Sequence, residues 1–405
     1  MPRSRVAVLA AALCLLVAPL AARSDYSGGV VRLGVLTDLT GPWREMGGSG
    51  STIAAQMAVE DCLAAECKGM KIEVLTADHQ NKVDVGLNRA REWFDKEGVD
   101  AIVDLTNSAV SLAVQQLAKA EGKIVLFSGP ATTRLTGDEC SPTGFHWMFD
   151  TYALSVAPAR NITRAGGTSW FFITVDYAFG HSLEQDAGEM VKESGGKVLG
   201  SVRFPLNSTD FGSFLLAAQG SKAKVIALAT GGTDAVNAIK AAHEFGIVGG
   251  GQQLAPLLLF LTDVKSLGLQ TAQGLSYVEG FYWDLDDGTR AWSTRFQQRH
   301  KAMPTQVQAG VYSSVLHYLR AAAAARSDEG KVVAAKMRAL PIHDPIMRHA
   351  SIRADGRVIH DMYLLKAKKP SESKGEWDLC SVAETIPAAE AFTPLAKSAC
   401  PLVKN

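Results

Sequence analysis

Short runs of β-branched and aromatic residues alternate with longer segments of helical periodicity from Val30 onward. The predicted strands of the first part are Val31–Thr37, Lys71–Ala77, Ala101–Leu105 and Lys123–Ser128, and the predicted helices lie near Ser51–Ala65, Val83–Lys96 and Ser108–Ala120. Alternation of this kind is typical of βαβ units, whose strands form a parallel sheet covered on both faces. We therefore predict a doubly wound α/β unit.

A loop rich in Gly, Thr, Ser and Pro follows from Gly129 to Gly144, and the same alternation then starts again. The second set of predicted strands is Ser169–Val175, Lys197–Phe204, Lys224–Ala229 and Gln253–Leu261, with helices near Gly180–Ser194, Phe211–Gln219 and Asp234–Phe245. This repetition predicts a second doubly wound unit with its own parallel sheet.

The last third of the chain has too few elements for another α/β unit. It contains a strand-like run at Gly274–Tyr282, helices through Arg290–His300, Gln306–Arg326 and Lys331–Leu340, and β-rich runs at Met347–Arg353 and Arg357–Lys366. We expect these elements to complete first one lobe and then the other, which requires three crossovers. The predicted boundaries are 25–150 plus 283–355 for the first lobe, and 151–282 plus 356–405 for the second lobe with a C-terminal extension.

The N-terminus has the pattern of a secretory signal peptide, here residues 1–24. A basic start precedes an apolar run from Val6 to Ala22, and small residues allow cleavage after Ala22 or Ser24. The alternative is a membrane anchor, but the run is at the short limit for spanning and contains Pro19. We therefore expect a cleaved signal and a periplasmic protein.

Charge and cysteine content fit export and argue against nucleic acid as a partner. The 41 basic residues balance 41 acidic residues, so there is no excess positive charge to neutralise phosphates. Beyond the predicted signal, five cysteines remain in an oxidising compartment, where disulfides are expected. Two bridges and one free thiol allow fifteen arrangements, among which we favour Cys62 with Cys67 and Cys140 with Cys400.

Hydroxyl and amide groups follow the predicted strands of the first unit. In a parallel sheet these carboxyl ends meet at one edge, where helix N-termini also converge and can bind an anion. Ordinary helix capping by Ser and Thr is the alternative for each group taken singly. The candidates on this edge are Trp43, Asn107, Ser108, Ala131, Thr132 and Thr133.

Aromatic rings dominate the corresponding edge of the second unit. The candidates there are Tyr152, Tyr177, Phe179, Thr230, Gly231, Phe260 and Asp263. We expect Phe281 and Trp283, which are further along the chain, to serve packing. The two edges together predict a cleft with polar donors on one side and rings on the other.

Signals of catalysis are poor. The chain has no Gly-x-Ser-x-Gly motif, no complete Gly-x-Gly-x-x-Gly motif and no phosphate-binding loop, and its histidines and cysteines do not have metal-site spacing. We therefore expect a binding protein that is not an enzyme and needs neither a cofactor nor a metal. A secreted hydrolase would need a nucleophile and a base that the sequence does not reveal.

Four segments together resemble the Leu/Ile/Val-type (type I) periplasmic binding proteins of ABC importers. They are LGVLTDLTGP at 33–42, SGPATTRLT at 128–136, DYAFG at 176–180 and TAQGL at 271–275, in the order of the family. The resemblance covers Val30 to Lys366 and implies two α/β lobes joined by three crossovers. It also implies a protein that binds a small solute between closing lobes and delivers it to a membrane permease. We expect this protein to be a monomer.

The resemblance also implies roles for individual residues. The ligand carboxylate would be held at Ser108, Ala131 and Thr132 or Thr133, while Phe179 would pack on the ligand. Amino-acid binders in the family carry a glutamate for the ammonium group where this chain has the mostly apolar segment 260–263, although Asp263 could serve if the register shifts.

This departure favours an aromatic or other non-amino carboxylate as the ligand. A branched-chain amino acid is the alternative in the same role, and a ligand-sensing ectodomain is an alternative in the same fold.

Overall fold

The computed structural model describes residues 26–403. The predicted signal peptide therefore lies outside the described residues. Within them, none of the helices combines the length and apolar character required to cross a bilayer.

The first lobe is built on a five-stranded parallel sheet of order β2-β1-β3-β4-β5. Its strands are β1 (Val31–Thr37), β2 (Ile72–Asp78), β3 (Ala101–Asp104), β4 (Ile124–Phe127) and β5 (Gly144–His146), and its first helices are α1 (Gly48–Ala64), α2 (Val83–Glu92) and α3 (Ser108–Glu121). Strands β3 and β4 are completely buried, because helices cover both faces.

The second lobe begins with α4 (Thr151–Arg164) and contains a four-stranded parallel sheet of order β7-β6-β8-β9. Its elements are β6 (Ser169–Val175), α5 (Ala178–Glu193), β7 (Lys197–Phe204), α6 (Gly212–Gly220), β8 (Val225–Ala229), α7 (Gly232–Glu244), β9 (Gln253–Pro256), α8 (Leu261–Leu267) and α9 (Leu269–Ala272). The sequence-derived expectation of two doubly wound lobes with parallel sheets is confirmed.

The chain returns to the first lobe and then to the second after β10 (Ser276–Glu279). The elements that complete the first lobe are α10 (Asp287–His300), α11 (Gln306–Ala325), α12 (Gly330–Ala339) and the hairpin β11 (Ser351–Ile352) with β12 (Val358–Ile359). Strand β13 (Met362–Ala367) then pairs with β10 and with β14 (Cys380–Ile386), and α13 (Ala388–Ala391) follows. The three crossovers thus lie near residues 147–150, 280–286 and 360–361.

One predicted strand was too long, and six elements were missed. The predicted strand Gln253–Leu261 ends at Pro256, because a new helix starts at Leu261 with the Asp263 carboxylate accepting a hydrogen bond from the Phe260 amide. Strands β5 and β14 and helices α4, α8, α9 and α13 were not predicted. Helix α4 includes Pro158 and several β-branched residues, which weaken the helical signal in the sequence.

The preferred disulfide arrangement is present. Cys62 is bonded to Cys67 at the end of α1, and Cys140 is bonded to Cys400, 260 positions later. Cys380 is a buried free thiol.

Candidate functional site

A small cavity lies between the two lobes at the carboxyl ends of their parallel strands. Its volume accessible to water is about 10 Å³ in this closed arrangement, and it is lined by both lobes. The lining residues are Trp43, Met46, Thr106, Ser108, Gly129, Ala131, Tyr177, Phe179 and Leu258. None of these described lining residues carries a charged side chain, so the cavity has apolar and aromatic walls with a few hydroxyl and amide groups.

The polar groups of the cavity lie on the first-lobe side. The Ser108 hydroxyl oxygen accepts hydrogen bonds from the backbone amides of Ala131 and Thr132, both at 3.3 Å. Since the oxygen already accepts two bonds, the Ser108 O–H remains available as a donor. An anionic group can therefore accept directly from the Ser108 O–H. The amides of Ala131 and Thr132 can donate to the same group when it replaces the Ser108 oxygen as their acceptor, with no basic side chain needed.

Trp43 is held in the cleft by a turn that Asp38 organises. The Asp38 carboxylate accepts hydrogen bonds from the amides of Gly41 at 2.7 Å and Trp43 at 2.9 Å, and from the Asn81 side chain at 2.7 Å. The Trp43 ring then meets the Phe179 ring of the other lobe edge-on, with centroids 5.7 Å apart. This pair makes Trp43 part of the contact between the lobes.

The second-lobe wall comes from the start of α5 and the loop after β9. Tyr177 precedes α5, Phe179 lies in its first turn, and Leu258 lies in the loop. The Tyr177 and Phe179 ring centroids are 6.0 Å apart. Burial, aided by Asp234, raises the pKa of the Tyr177 hydroxyl well above its usual value, so Tyr177 remains a neutral hydrogen-bonding group.

The lobes are in contact around the cavity. The Thr132 and Ser182 hydroxyl oxygens are 2.7 Å apart, and the Thr133 hydroxyl donates to Asp186 at 3.3 Å. On another side, the amide of Thr233 donates to the carbonyl of Pro42 at 3.3 Å. These contacts describe a closed cleft.

Five of the predicted site residues, Trp43, Ser108, Ala131, Tyr177 and Phe179, line this cavity. Thr132 lies at its edge through its contact with Ser182, and Gly231 lies behind Trp43. Asn107 caps α3, because its side chain accepts from the amides of Ala109 and Val110. Thr230 is buried just before α7, and Tyr152 is half-buried on α4 outside the lining.

Phe260 and Asp263 also lie outside the lining of the cavity. Phe260 is buried and packs against Phe149, with ring centroids 6.3 Å apart. The Asp263 carboxylate accepts from the Phe260 amide at 3.0 Å, and burial raises its pKa to about 7. Asp263 is thus a capping group of α8 in this closed arrangement.

The sequence analysis did not single out Met46, Thr106, Gly129 and Leu258, which complete the lining. Thr106 and Gly129 belong to strand-end segments that the sequence did identify, whereas a lone Met or Leu gives no signal of its own. It also missed two buried acids near the lobe edges, Asp104 and Glu279. Burial raises the pKa of Asp104 to about 6 and that of Glu279 well above its usual value.

Comparison with known proteins identifies the family. The model of the family described as periplasmic binding protein matches residues 30–376. A periplasmic binding protein from Burkholderia mallei is 44% identical, with a TM-score of 0.91 over 93% of this chain and 100% of that chain. No match to a curated protein sequence was found.

Two other solved structures are relevant. A branched chain amino acid ABC transporter periplasmic ligand-binding protein from Burkholderia xenovorans is 38% identical (TM-score 0.82; 92% of this chain, 100% of that chain). An ABC transporter solute-binding protein from R. palustris, solved with benzoate, is 17% identical (TM-score 0.78; 89% of this chain, 97% of that chain) and shares the fold. The two-lobed fold, the cavity at the strand ends and the family match lead to one conclusion: this chain belongs to the periplasmic binding proteins of ABC transporters.

Proposed function

We propose that this protein is the solute-binding component of an ABC importer and that it binds a small carboxylate whose body is aromatic or otherwise lacks an amino group. The protein is exported through its N-terminal signal, closes around the ligand as a monomer and delivers it to the membrane permease. The bound carboxylate lies against Ser108 and the amides of Ala131 and Thr132.

The observation that carries the proposal is the lining of the cavity. An α-ammonium group buried without an acid loses its hydration and gains no partner, and the described lining offers rings and aliphatic groups where such an acid would be needed. An aromatic body suits these walls, because ring pairs in edge contact contribute about 0.5–1.5 kcal/mol beyond the burial of area. The benzoate complex of the R. palustris protein is consistent with such a ligand in this fold.

A branched-chain amino acid is the second candidate. It is favoured by the name of the 38% identical Burkholderia xenovorans protein and by the buried acids Asp263 and Glu279. One oxygen of Glu279 has no hydrogen-bond partner among the described residues. A small rearrangement of the segment around Asp263 would be required to bring a carboxylate to the ligand.

Calorimetry with benzoate, a phenylpropenoate, leucine and valine distinguishes the two candidates. We expect an aromatic carboxylate to bind at least tenfold more tightly than leucine or valine, and the Asp263→Asn variant to keep that affinity. Tight binding of leucine that is lost in Asp263→Asn would contradict the proposed ligand class and identify Asp263 as the ammonium acceptor. Chemical turnover of the bound compound, detected by mass spectrometry, would contradict a pure binding role.

A further inference from the structure

The C-terminal segment 387–403, here called the strap, runs from the second lobe back to the first. It starts after β14 in the second lobe and ends at Cys400, whose disulfide partner Cys140 belongs to the first lobe. Because three backbone crossovers already join the lobes, this bond closes a fourth covalent connection.

The beginning of the strap is fixed to the second lobe. Helix α13 packs on α4, and Glu390 forms an ion pair with Arg160 of α4 at 3.2 Å. The amide of Ala388 donates to the Asp361 carboxylate at 2.8 Å. The strap therefore moves with the second lobe up to this point.

The middle of the strap lies on the crossovers. The Arg357 guanidinium is 4.3 Å from the centroid of the Phe392 ring and donates to the carbonyls of Met148 and Phe149 in the first crossover. His360, at the third crossover, has its ring 5.2 Å from that of Phe392. Phe392 thus packs where the lobes must bend relative to each other.

The end of the strap lies along a solvent-accessible chamber between the two lobes. The chamber has a volume of about 400 Å³, and its walls include Arg134 of the first lobe and Gln185 of the second. The strap contributes Thr393, Lys397, Ser398 and Ala399 to its walls. The Lys397–Glu193 ion pair at 3.3 Å holds the strap to the second lobe, but it is exposed and contributes little. On the first-lobe side, the Arg353 guanidinium donates to the Thr393 carbonyl at 2.7 Å, and the Cys140–Cys400 disulfide is the covalent attachment.

We propose that the strap limits the opening of the cleft and keeps the ligand-free protein near its closed arrangement. Between Glu390, which is fixed to the second lobe, and Cys400 there are ten peptide links, which span at most about 36 Å when extended. The part of the first lobe that carries Cys140 can therefore move away from this second-lobe attachment only as far as this length allows. Breaking the disulfide removes the limit. The inference rests on the proposed function in that it assumes lobes that open and close.

The test compares the ligand-free protein in four forms by small-angle scattering. The forms are wild type, the double variant Cys140→Ser/Cys400→Ser, the matched control Cys62→Ser/Cys67→Ser, and a chain with six Gly and Ser residues inserted after Ser398 with its disulfide intact. A compact chain of this size has a radius of gyration of about 21 Å, and we expect an increase of roughly 1 Å in the double variant and the lengthened chain only. We also expect ligand to dissociate several-fold faster from these two forms.

Identical ligand-free profiles in wild type and double variant would overturn the proposal. So would an expanded double variant beside an unchanged lengthened chain, because the effect would then not come from the length of the strap. The lengthened chain also covers the case in which the double variant fails to fold. Failure of the proposed function would appear separately, as carboxylate ligands that neither bind nor compact any of the four forms.

Discussion

Ser108 is the residue that brings a hydroxyl and two backbone amides to one point of the cavity. Hydrogen bonds to a charged group contribute about 1.5–3 kcal/mol, so we expect Ser108→Ala to weaken carboxylate binding roughly tenfold or more. The matched control is Ser111→Ala on the same helix, where the hydroxyl donates to the carbonyls of Leu105 and Asn107 and does not line the cavity. Calorimetry that gives equal dissociation constants for the two variants would show that the anion is held elsewhere.

Asp263 gives the stability of the protein a pH dependence. Burial raises the pKa of its carboxyl from an ordinary 3.8 to about 7 in the folded state. Between pH 3.8 and about 7 the Asp263 carboxyl is protonated in the folded protein and ionised in the unfolded chain, so unfolding releases a proton. The free energy of unfolding therefore falls as the pH rises, by at most about 1.4 kcal/mol per pH unit. We expect Asp263→Asn, measured by urea denaturation from pH 4 to 7, to flatten this decline.

The control for this measurement is Asp138→Asn, which removes an exposed carboxyl group. Its curve should run parallel to that of the wild type. A decline that persists unchanged in Asp263→Asn would assign the pH dependence to other buried acids, such as Glu279.

At the scale of elements, helix α3 begins after Asn107, which the sequence allowed to be either a helix cap or a ligand contact. In the structure Asn107 is the cap. Asn107 accepts from the amides of Ala109 at 2.9 Å and Val110 at 3.1 Å. Loss of such a cap costs about 1 kcal/mol, so we expect Asn107→Ala to lower the free energy of unfolding by that amount while Asn107→Ser retains most of it. Thermal unfolding measures the effect. A larger loss of ligand affinity than in Ser108→Ala would instead place Asn107 among the ligand contacts.

The sequence predicted most elements because the hydrophobic periodicity of a strand or helix is set by residues that are close together in the chain. Strands β1, β6 and β7 have the predicted bounds, since their β-branched runs end at turn residues. The side chains that reach the cavity were harder to predict. Tyr177 and Phe179 reach it because α5 starts at the sheet edge, whereas Asp263 lies near a similar helix start and turns back to the Phe260 amide.

At the scale of the whole molecule, closure requires the lobes to approach within backbone contact at Gly232. A Cβ atom added there would lie 2.6 Å from the Pro42 carbonyl oxygen of the other lobe. We therefore expect Gly232→Ala to prevent full closure and to weaken ligand binding at least tenfold, as measured by calorimetry. Small-angle scattering at saturating ligand should give a larger radius of gyration for Gly232→Ala than for the wild type.

Gly246→Ala is the matched control for Gly232→Ala. The two glycines have similar positive φ angles, 57° at Gly232 and 64° at Gly246, but a Cβ atom at Gly246 would meet nothing within 4 Å. Both substitutions therefore carry the same backbone strain, and only the first obstructs closure. Equal affinities in the two variants would contradict the closed arrangement as the binding state. The exact lobe boundaries remain predictions that limited proteolysis can test, although the hairpin β11–β12 lies with the first lobe and places the third crossover after residue 359 rather than at 355.

The sequence alone determined the α/β class, the two lobes, the three crossovers and the edge of each sheet that forms the cleft, because these depend on periodicity and on the carboxyl ends of parallel strands. Tertiary structure decided which groups at those edges face the cavity. The Ser108 hydroxyl meets the amides of Ala131 and Thr132 because two separate strand ends converge, and Trp43 meets Phe179 only when the lobes close. Such contacts join residues far apart in the chain, and no local pattern encodes the relative position of their elements.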